Sequence, residues 1–412
     1  MDFLLFYIII YIILISITTA IGINLITVKK LGVIGIFFMC LIMNNFFLYE
    51  ILTIVFVLCL MFYSILIKIE HNEYLLYQFI ILAILTIIGN NLLQIFLALE
   101  IINFISITLI PLGTNKVYTL EAALKYFLIS AISGAIFILG TALIYGETTS
   151  LDLFVISTFN LSNNNIGPIL IIISLFIKLG IAPFHAWMPD AYEGTNYKTF
   201  IFISLFPKLF LLILLFIMYQ IFDIPQSIIY GAILFSGFVG SIQAVFQQKT
   251  KRFLSFTMIL NNIFLIMPLI ASNLYALISI FFLYFLNNLL TLSVFLERPA
   301  KNVRDIITFE KQTAFIFICS LFSAIGVPPF LGFFVKFLPI SIILEKNIFL
   351  IIFVIFFSVL AAFYYLRLIS ILFFYAYKPY FNTTLSTSLA ITVSLHVFLL
   401  LSFLYTIFIN LV

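Results

Sequence analysis

The chain has 412 residues, of which 65% are hydrophobic and 8% are charged, and its formal net charge is +4. Soluble domains have about 45–50% apolar and 25% charged residues, so this composition excludes a protein whose surface faces water on every side. The apolar runs have the length of a spanning helix, roughly 20 residues, and exceed the roughly 10-residue alternating strands of a membrane β-barrel. The composition therefore predicts an all-α, multi-pass membrane protein.

Polar residues, prolines and glycines divide the apolar sequence into candidate spans. In chain order these are residues 3–23, 31–48, 51–67, 74–90, 92–112, 121–146, 166–187, 199–221, 226–246, 253–270, 273–295, 312–340, 347–376 and 386–410. The sequence thus predicts about 14 transmembrane helices, and the short connections leave no room for a soluble catalytic domain.

Lysine and arginine residues outside these spans collect in alternate loops, as the positive-inside rule predicts. One side of the membrane receives Lys29, Lys30, Lys68, Lys116, Lys198, Lys249, Lys251, Arg252, Arg298, Lys301, Arg304, Lys311 and Lys378, and the other side receives Lys346. A missed or invented helix would scramble this distribution. We therefore expect both termini on the side opposite the basic loops.

An internal repeat is visible where GIAPF at Gly180–Phe184 recurs as GVPPF at Gly326–Phe330. Proline inside a helix removes a backbone hydrogen bond and clashes with the preceding turn, so both spans are expected to be interrupted. Paired interrupted helices are typical of transporters built on two inverted repeats, here of five helices each, although simple proline kinks are the alternative. The predicted segments are a three-helix segment 1–73, repeats 74–222 and 223–376, and a C-terminal helix 377–412.

Four ionisable residues lie well inside candidate spans: Glu100, Lys178, Lys208 and Lys336. Each costs about 2.5–3.5 kcal/mol on insertion scales, so they are tolerable only beside one another or facing a hydrated interior. Burial disfavours the charged form of both residue types, which brings their protonation changes towards neutral pH. This pattern predicts a proton relay.

Two further residues allow either a functional or a structural interpretation. Lys125 lies one turn after Glu121, so its side chain either joins the relay or extends to the membrane interface. His185 follows Pro183 by two residues, and a single histidine is usually a hydrogen-bonded packing residue.

Other chemistries find no support in the sequence. The cysteines and histidines are scattered, which argues against an iron–sulfur cluster or a zinc site. The cysteines are Cys40, Cys59 and Cys319, and the histidines are His71, His185 and His396. We find no glycine-rich phosphate loop and no basic face, so ATP use and nucleic-acid binding are not expected. The chain itself is expected to carry no redox cofactor and no metal.

The stretch Lys178–Gly194, KLGIAPFHAWMPDAYEG, resembles the signature of the antiporter-like proton-channel subunits of respiratory complex I, in the form closest to NADH dehydrogenase subunit 2. Three other stretches agree with this resemblance: EAALKYF at 121–127, QKTKRFL at 248–254 and GVPPFLGFFVKF at 326–337. The resemblance extends over about residues 74–376.

The resemblance implies roles for the deep ionisable groups. Glu100 and Lys178 would form the charge pair of one half-channel, Lys208 would be the central lysine, and Lys336 the terminal one. Lys125 and His185 match family positions that influence the relay. One departure is Asn261, which occupies the place, nine residues after Arg252, where the family usually has a histidine.

By the same resemblance, the chain would be a proton-translocating membrane subunit of NADH:ubiquinone oxidoreductase, an H⁺-translocating enzyme. NADH, FMN, iron–sulfur clusters and ubiquinone would bind other subunits. Its partners would be other membrane-arm subunits, including neighbouring antiporter-like subunits, and phospholipid such as cardiolipin, with no nucleic acid. The 52 phenylalanines and single tryptophan are typical of an AT-rich organellar gene. Together with this composition, the resemblance implies an organelle-encoded protein of the mitochondrial inner membrane, with its basic loops towards the matrix and its termini towards the intermembrane space.

Two alternatives remain open from the sequence. A free-standing cation/proton antiporter subunit of the related Mrp type predicts sodium- or potassium-dependent transport without quinone reduction. A structural scaffold predicts that removing the four deep charges leaves transport intact if assembly survives.

Overall fold

The computed structural model describes residues 91–112, 116–159, 166–222, 224–309, 311–328, 330–344 and 346–375. Five of the candidate spans lie outside these residues, namely 3–23, 31–48, 51–67, 74–90 and 386–410. The number of fourteen helices and the segment boundaries therefore stay predictions.

The described part of the chain is almost entirely helical, as the composition predicts. Its α-helices are α1 Leu92–Leu109, α2 Lys116–Thr148, α3 Leu153–Thr158, α4 Gly167–Leu179, α5 Trp187–Gly194, α6 Tyr197–Ile221, α7 Gln226–Phe246, α8 Thr250–Ile270, α9 Leu274–Glu297, α10 Lys311–Ile325, α11 Leu331–Ile343 and α12 Ile348–Tyr375. Two 3₁₀ helices, Ile110–Leu112 and Val303–Thr308, accompany them. Within the described ranges, seven helices are long and apolar enough to cross a membrane: α1, α2, α6, α7, α8, α9 and α12.

The helices agree with the predicted spans, with differences at their ends. Helix α2 is longer than the predicted span 121–146 because polar residues at both of its ends continue the helix. The helix of span 166–187 ends at Leu179, before Pro183, and span 312–340 is divided into α10 and α11, so both predicted interruptions are present. The short helices α3 and α5 and the two 3₁₀ helices were not predicted.

The first interruption is a glycine turn at the end of α4. Gly180 has φ +66°, a left-handed conformation that costs glycine little because it lacks a Cβ. Its backbone N–H donates to the carbonyl of Ile177 at 3.1 Å, and that of Ile181 donates to Phe176 at 3.1 Å. This pair of bonds ends the helix, and the chain then enters α5 at Trp187.

The second interruption repeats this arrangement. Gly326 has φ +91°, and the N–H of Val327 donates to the carbonyl of Phe322 at 3.2 Å. Helix α11 then packs closely on the end of α10, where the N–H of Gly332 donates to Ser323 Oγ at 2.9 Å. The recurring sequence motif therefore produces the same backbone turn twice.

Helices α6 and α8 form the centre of the described bundle. Every residue of the most apolar stretch of α8 is buried, and nearly every one of α6 is. The outer helices α2, α7 and α12 expose large apolar side chains, such as Leu124, Phe235 and Phe363. Such faces suit lipid or a neighbouring membrane subunit.

Among the described residues, loops rich in lysine and arginine meet at one end of the bundle, named here the basic end. The start of α8 reaches the segment after α9, where the N–H of Thr250 donates to the carbonyl of Lys301 at 3.1 Å. Lys346 lies at the other end of α8, with its Nζ 2.7 Å from the carbonyl oxygen of Ile270. Lys346 and the basic end thus lie at opposite ends of α8, while the orientation of the chain in a membrane stays a prediction.

Candidate functional site

Glu100 and Lys178 form an ion pair between α1 and α4. Lys178 Nζ lies 3.3 Å from Glu100 Oε1, and the two side chains are 6% and 23% exposed. The side-chain amide of Asn103, one turn after Glu100, donates to the same oxygen at 3.2 Å. The carboxylate thus accepts hydrogen bonds from a charged and a neutral donor in a mostly buried place, and the attraction between opposite charges is strong there.

A glycine makes room for this carboxylate. A Cβ added to Gly134 on α2 would lie 2.9 Å from Glu100 Oε1 and 3.5 Å from a ring carbon of Phe96. Any larger residue would therefore push the carboxylate or the helix aside. The lack of a side chain at this position of α2 helps to set the position of the pair.

A small cavity adjoins the pair and extends towards α6. Its lining includes Lys178, Asn103, Tyr126, Trp187 and Pro207, the neighbour of Lys208. The cavity has a volume of about 20 Å³. A site of this size with polar groups on its wall can hold a water molecule.

Lys208 lies in the middle of α6 with its side chain buried, 3% exposed. Its Nζ donates to Asn262 Oδ1 at 2.9 Å and to the Tyr284 hydroxyl at 3.2 Å. The same nitrogen lies 5.5 Å from the centre of the Tyr284 ring, within the range of a cation–π contact. Within the described residues, no carboxylate lies within 4.0 Å of this ammonium group.

Asn262 also reaches the first interrupted helix. Its side-chain nitrogen Nδ2 donates to the carbonyl oxygen of Leu179 at 3.1 Å. Leu179 follows Lys178 directly and is the last residue of α4. One amide on α8 therefore connects the end of the helix that carries Lys178 with the ammonium group of Lys208.

Lys336 lies on α11, after the second interruption, and is half-buried. Its Nζ donates to the carbonyl oxygen of Ile325 at 2.8 Å, and Ile325 is the last residue of α10. The same nitrogen lies 5.9 Å from the centre of the Phe264 ring. Since Phe264 is two residues from Asn262 on α8, this helix contacts both Lys208 and Lys336.

Lys125 belongs to a cluster of ion pairs at the basic end. Its Nζ lies 2.8 Å from Glu121 and 3.5 Å from Asp190, and its side chain is 43% exposed. Arg252 Nη2 lies 2.7 Å from the other oxygen of Asp190, and Glu193 accepts from both Arg252 and Lys249. The cluster therefore ties the short helix α5 to α2 on one side and to α8 on the other, while Lys125 pairs with none of the four deep groups.

His185 lies in the segment between α4 and α5 and is half-buried. Its ring centre is 6.5 Å from that of Phe256. Its Nδ1 atom is buried without a hydrogen-bond partner among the described residues. The structure does not bring it to Lys178 or Lys208, so its role in the relay stays a prediction.

Sequence reasoning missed the neutral groups that hold the charged ones, namely Asn103, Gly134, Asn262 and Tyr284. Asn103 had a signal, because it lies three residues after Glu100 and shares its helix face. Asn262 is adjacent to the Asn261 that sequence reasoning singled out, and both are buried. The structure shows that Asn262 is the one that contacts Lys208.

The sequence is similar to those of several known proteins. A family model described as NADH:quinone oxidoreductase/Mrp antiporter, transmembrane, matches residues 89–362. NADH-quinone oxidoreductase subunit N of Coxiella burnetii is 28% identical over 345 residues, covering 76% of this chain and 70% of that protein. Subunit N of Rickettsia typhi is 27% identical over 335 residues, covering 74% and 73%.

Three solved structures share the fold. A chain of respiratory complex I from Thermus thermophilus matches with a TM-score of 0.80 at 22% identity, covering 96% of both chains. A chain of the archaeal membrane-bound sulfane sulfur reductase matches with a TM-score of 0.80 at 18% identity, over 100% of this chain and 95% of that one. A chain of the Mrp complex from Dietzia matches with a TM-score of 0.68 at 18% identity, over 83% and 68%.

Proposed function

This chain belongs to the family of membrane subunits described as NADH:quinone oxidoreductase/Mrp antiporter, and from that membership we propose that it is a proton-translocating subunit of a respiratory complex I. The observation that carries the proposal is an arrangement in which Glu100 pairs with Lys178, while Asn262 contacts both Lys208 and the carbonyl of Leu179, the residue after Lys178. It joins three ionisable groups of a mostly buried interior, where such groups are costly unless they have a function.

The relay begins with the ion pair. Two opposite charges 4 Å apart attract by about 4 kcal/mol at an effective dielectric constant of 20, so separating Glu100 from Lys178 removes a large support for the charged lysine. Lys178 then releases its proton into the adjoining cavity. Lys208 in its neutral form accepts a proton from that side, and α8 lies between this group and Lys336.

Lys336 exchanges protons with the water on one side of the membrane. Its contact with Ile325 places it at the second glycine turn, where backbone carbonyls without helical partners can hold water. Water in the two interrupted helices connects the ionisable groups. Lys125 and His185 act on the relay from its edge.

The redox chemistry belongs to other subunits of the assembly, in which electrons pass from NADH to a quinone. We propose that this chain binds no redox cofactor and that its partners are other membrane-arm subunits, among them related antiporter-like chains, together with phospholipid. The exposed apolar faces of α2, α7 and α12 suit such neighbours.

We also propose that the quinone is ubiquinone and that the protein is encoded in an organelle and lies in the mitochondrial inner membrane, with the basic end towards the matrix. The support is compositional, since 52 phenylalanines and one tryptophan are typical of an AT-rich gene. The relatives named above are bacterial, so this placement is tested by immunodetection of the chain in purified inner membranes.

The proposal is tested by purifying the membrane assembly that contains this chain and reconstituting it in liposomes. Addition of NADH and a quinone should drive proton movement in a medium without sodium or potassium. Proton movement that requires either cation, or an assembly without NADH:quinone reductase activity, would contradict the proposal.

A second candidate is an Mrp-type antiporter subunit. The family description covers both classes, and the Dietzia Mrp chain has a similar fold. The same liposomes decide between them, because an antiporter exchanges sodium or potassium for protons when NADH is absent.

A further inference from the structure

We infer that Asn262 is a positioning residue of the relay, because its side-chain amide couples the position of the Lys208 ammonium group to the end of the first interrupted helix. The inference rests on the proposed function, since it assigns a role within the same path. It concerns a neutral residue that transfers no proton itself.

The chemistry of the two partners fixes the orientation of this amide. A lysine ammonium group has only donors, and a backbone carbonyl oxygen only accepts. An asparagine side chain has one group of each kind, so Oδ1 faces Lys208 at 2.9 Å and Nδ2 faces Leu179 at 3.1 Å. An aspartate would keep the first contact and lose the second, and a leucine would lose both.

The contacted carbonyl belongs to a point of the backbone that the glycine turn leaves open. The turn bonds at Gly180 and Ile181 occupy the carbonyls of Ile177 and Phe176. The carbonyl of Leu179 is beyond them and instead accepts from Asn262. A shift of the helix end that carries Lys178 therefore moves the amide and, through it, the ammonium group of Lys208.

Burial makes this contact strong. Asn262 is 2% exposed and Lys208 is 3% exposed, so bulk water does not reach these groups to replace a lost hydrogen bond. Hydrogen bonds to charged groups contribute more than those between neutral groups, and the interior strengthens them further. The hydroxyl of Tyr284 is the other hydrogen-bond partner that the structure gives this ammonium group.

The second half of the chain contains a direct version of the same contact. Ile325 precedes Gly326 as Leu179 precedes Gly180, and its carbonyl accepts from Lys336 at 2.8 Å. At each glycine turn, the carbonyl before the glycine is thus connected to a lysine. In the first half Asn262 mediates the connection, and in the second half the lysine makes it alone.

The test uses the assembled complex in liposomes with two variants, Asn262→Leu, which removes both hydrogen-bonding groups, and Asn262→Asp, which keeps only the acceptor. The matched control is Thr257→Val, since Thr257 is also buried on α8 and its hydroxyl donates within its own helix to the carbonyl oxygen of Leu254 at 2.8 Å. Proton translocation driven by NADH is measured against pH, together with NADH oxidation by ferricyanide and the amount of assembled complex.

For Asn262→Leu we expect proton translocation to fall by about tenfold, as loss of one hydrogen bond to a charged group implies, with normal ferricyanide activity. For Asn262→Asp we expect the pH profile of translocation to move to higher pH by about one unit, because the carboxylate favours the protonated lysine. The Thr257→Val control should keep the profile of the unmodified complex.

Translocation by Asn262→Leu at the normal rate, or an unmoved pH profile in Asn262→Asp, would overturn the inference. So would loss of assembly in both Asn262 variants while Thr257→Val assembles, because that result means a structural role. The Lys208→Ala variant distinguishes a failure of this inference from a failure of the proposed function. If it stops translocation while the Asn262 variants do not, the inference fails and the proposed function stands; if it translocates normally, the proposed function fails.

Discussion

Lys178 and Glu100 lie on different helices with 3.3 Å between the ammonium nitrogen and the carboxylate oxygen. Because one partner is on α1 and the other is on the interrupted helix α4, the length of this ion pair depends on how the two helices are placed. The pair can thus respond to movement of α1 against α4, which a pair within one helix could not.

Neutralising the carboxylate tests the pair. We expect Glu100→Gln to lower NADH-driven proton translocation by about tenfold or more, because the amide cannot support the charged form of Lys178. The liposome assay of translocation checks this. The control is Asp305→Asn, which neutralises a half-buried carboxylate that lies outside the relay and accepts from the backbone N–H of Asn302 at 2.8 Å. Equal activity of Glu100→Gln and the control would remove Glu100 from the relay.

Displacing the carboxylate without changing any charge is a second test. A methyl group in Gly134→Ala would lie 2.9 Å from Glu100 Oε1, so we expect a longer ion pair and slower proton translocation. Gly231→Ala is the matched control, since nothing lies within 4 Å of its added Cβ. As alanine favours helix by up to about 1 kcal/mol over glycine, the control should be neutral or stabilising. Unimpaired translocation by Gly134→Ala would contradict the geometry of the pair.

The second interruption depends on close packing between α10 and α11. A Cβ at Gly332 would overlap the carbonyl oxygen of Ser323, so Gly332→Ala is expected to destabilise the chain by about 1–3 kcal/mol. The midpoint of thermal dissociation of the assembled complex, again with Gly231→Ala as the control, measures this. A midpoint equal to that of the control would mean that this contact is looser than the structure has it.

The ion-pair cluster at the basic end should contribute less than the buried pair. Its members Lys125, Asp190 and Arg252 are 38–43% exposed, and such pairs contribute about 0–1 kcal/mol each. We expect Arg252→Gln to lower the midpoint of thermal dissociation slightly, with a smaller effect at high salt because salt screens exposed charges.

Lys125→Met should slow proton translocation less than Lys178→Met does. The reverse order would place Lys125 in the main path.

Much of the fold follows from local sequence. The lengths of the apolar runs predict the long helices, and the prolines after Gly180 and Gly326 predict both interruptions. These features depend on residues close together in the chain, where hydrophobic length and proline geometry act directly. The exact start of α2 could not be predicted, because Lys116 and its polar neighbours fit either a loop or a helix.

The charged members of the site were also predictable, because an ionisable residue inside an apolar span is costly wherever the span packs. Their neutral partners were not. The contact between Asn262 and Lys208 depends on the register of α8 against α6, and a change of one residue on α8 would exchange Asn262 for Asn261. The sequence contains both asparagines, but it does not show which of them contacts Lys208.

The central claim is that protons pass through the buried lysine of α6, and its most direct test is the number of protons translocated per NADH oxidised by liposomes containing Lys208→Ala. The matched control is Lys346→Ala, which removes an exposed lysine that contacts the end of α8. We expect a strongly lowered ratio of protons to NADH for Lys208→Ala and an unchanged ratio for Lys346→Ala. Ferricyanide reduction should be normal in both variants. An unchanged ratio for Lys208→Ala in a fully assembled complex would contradict the central claim.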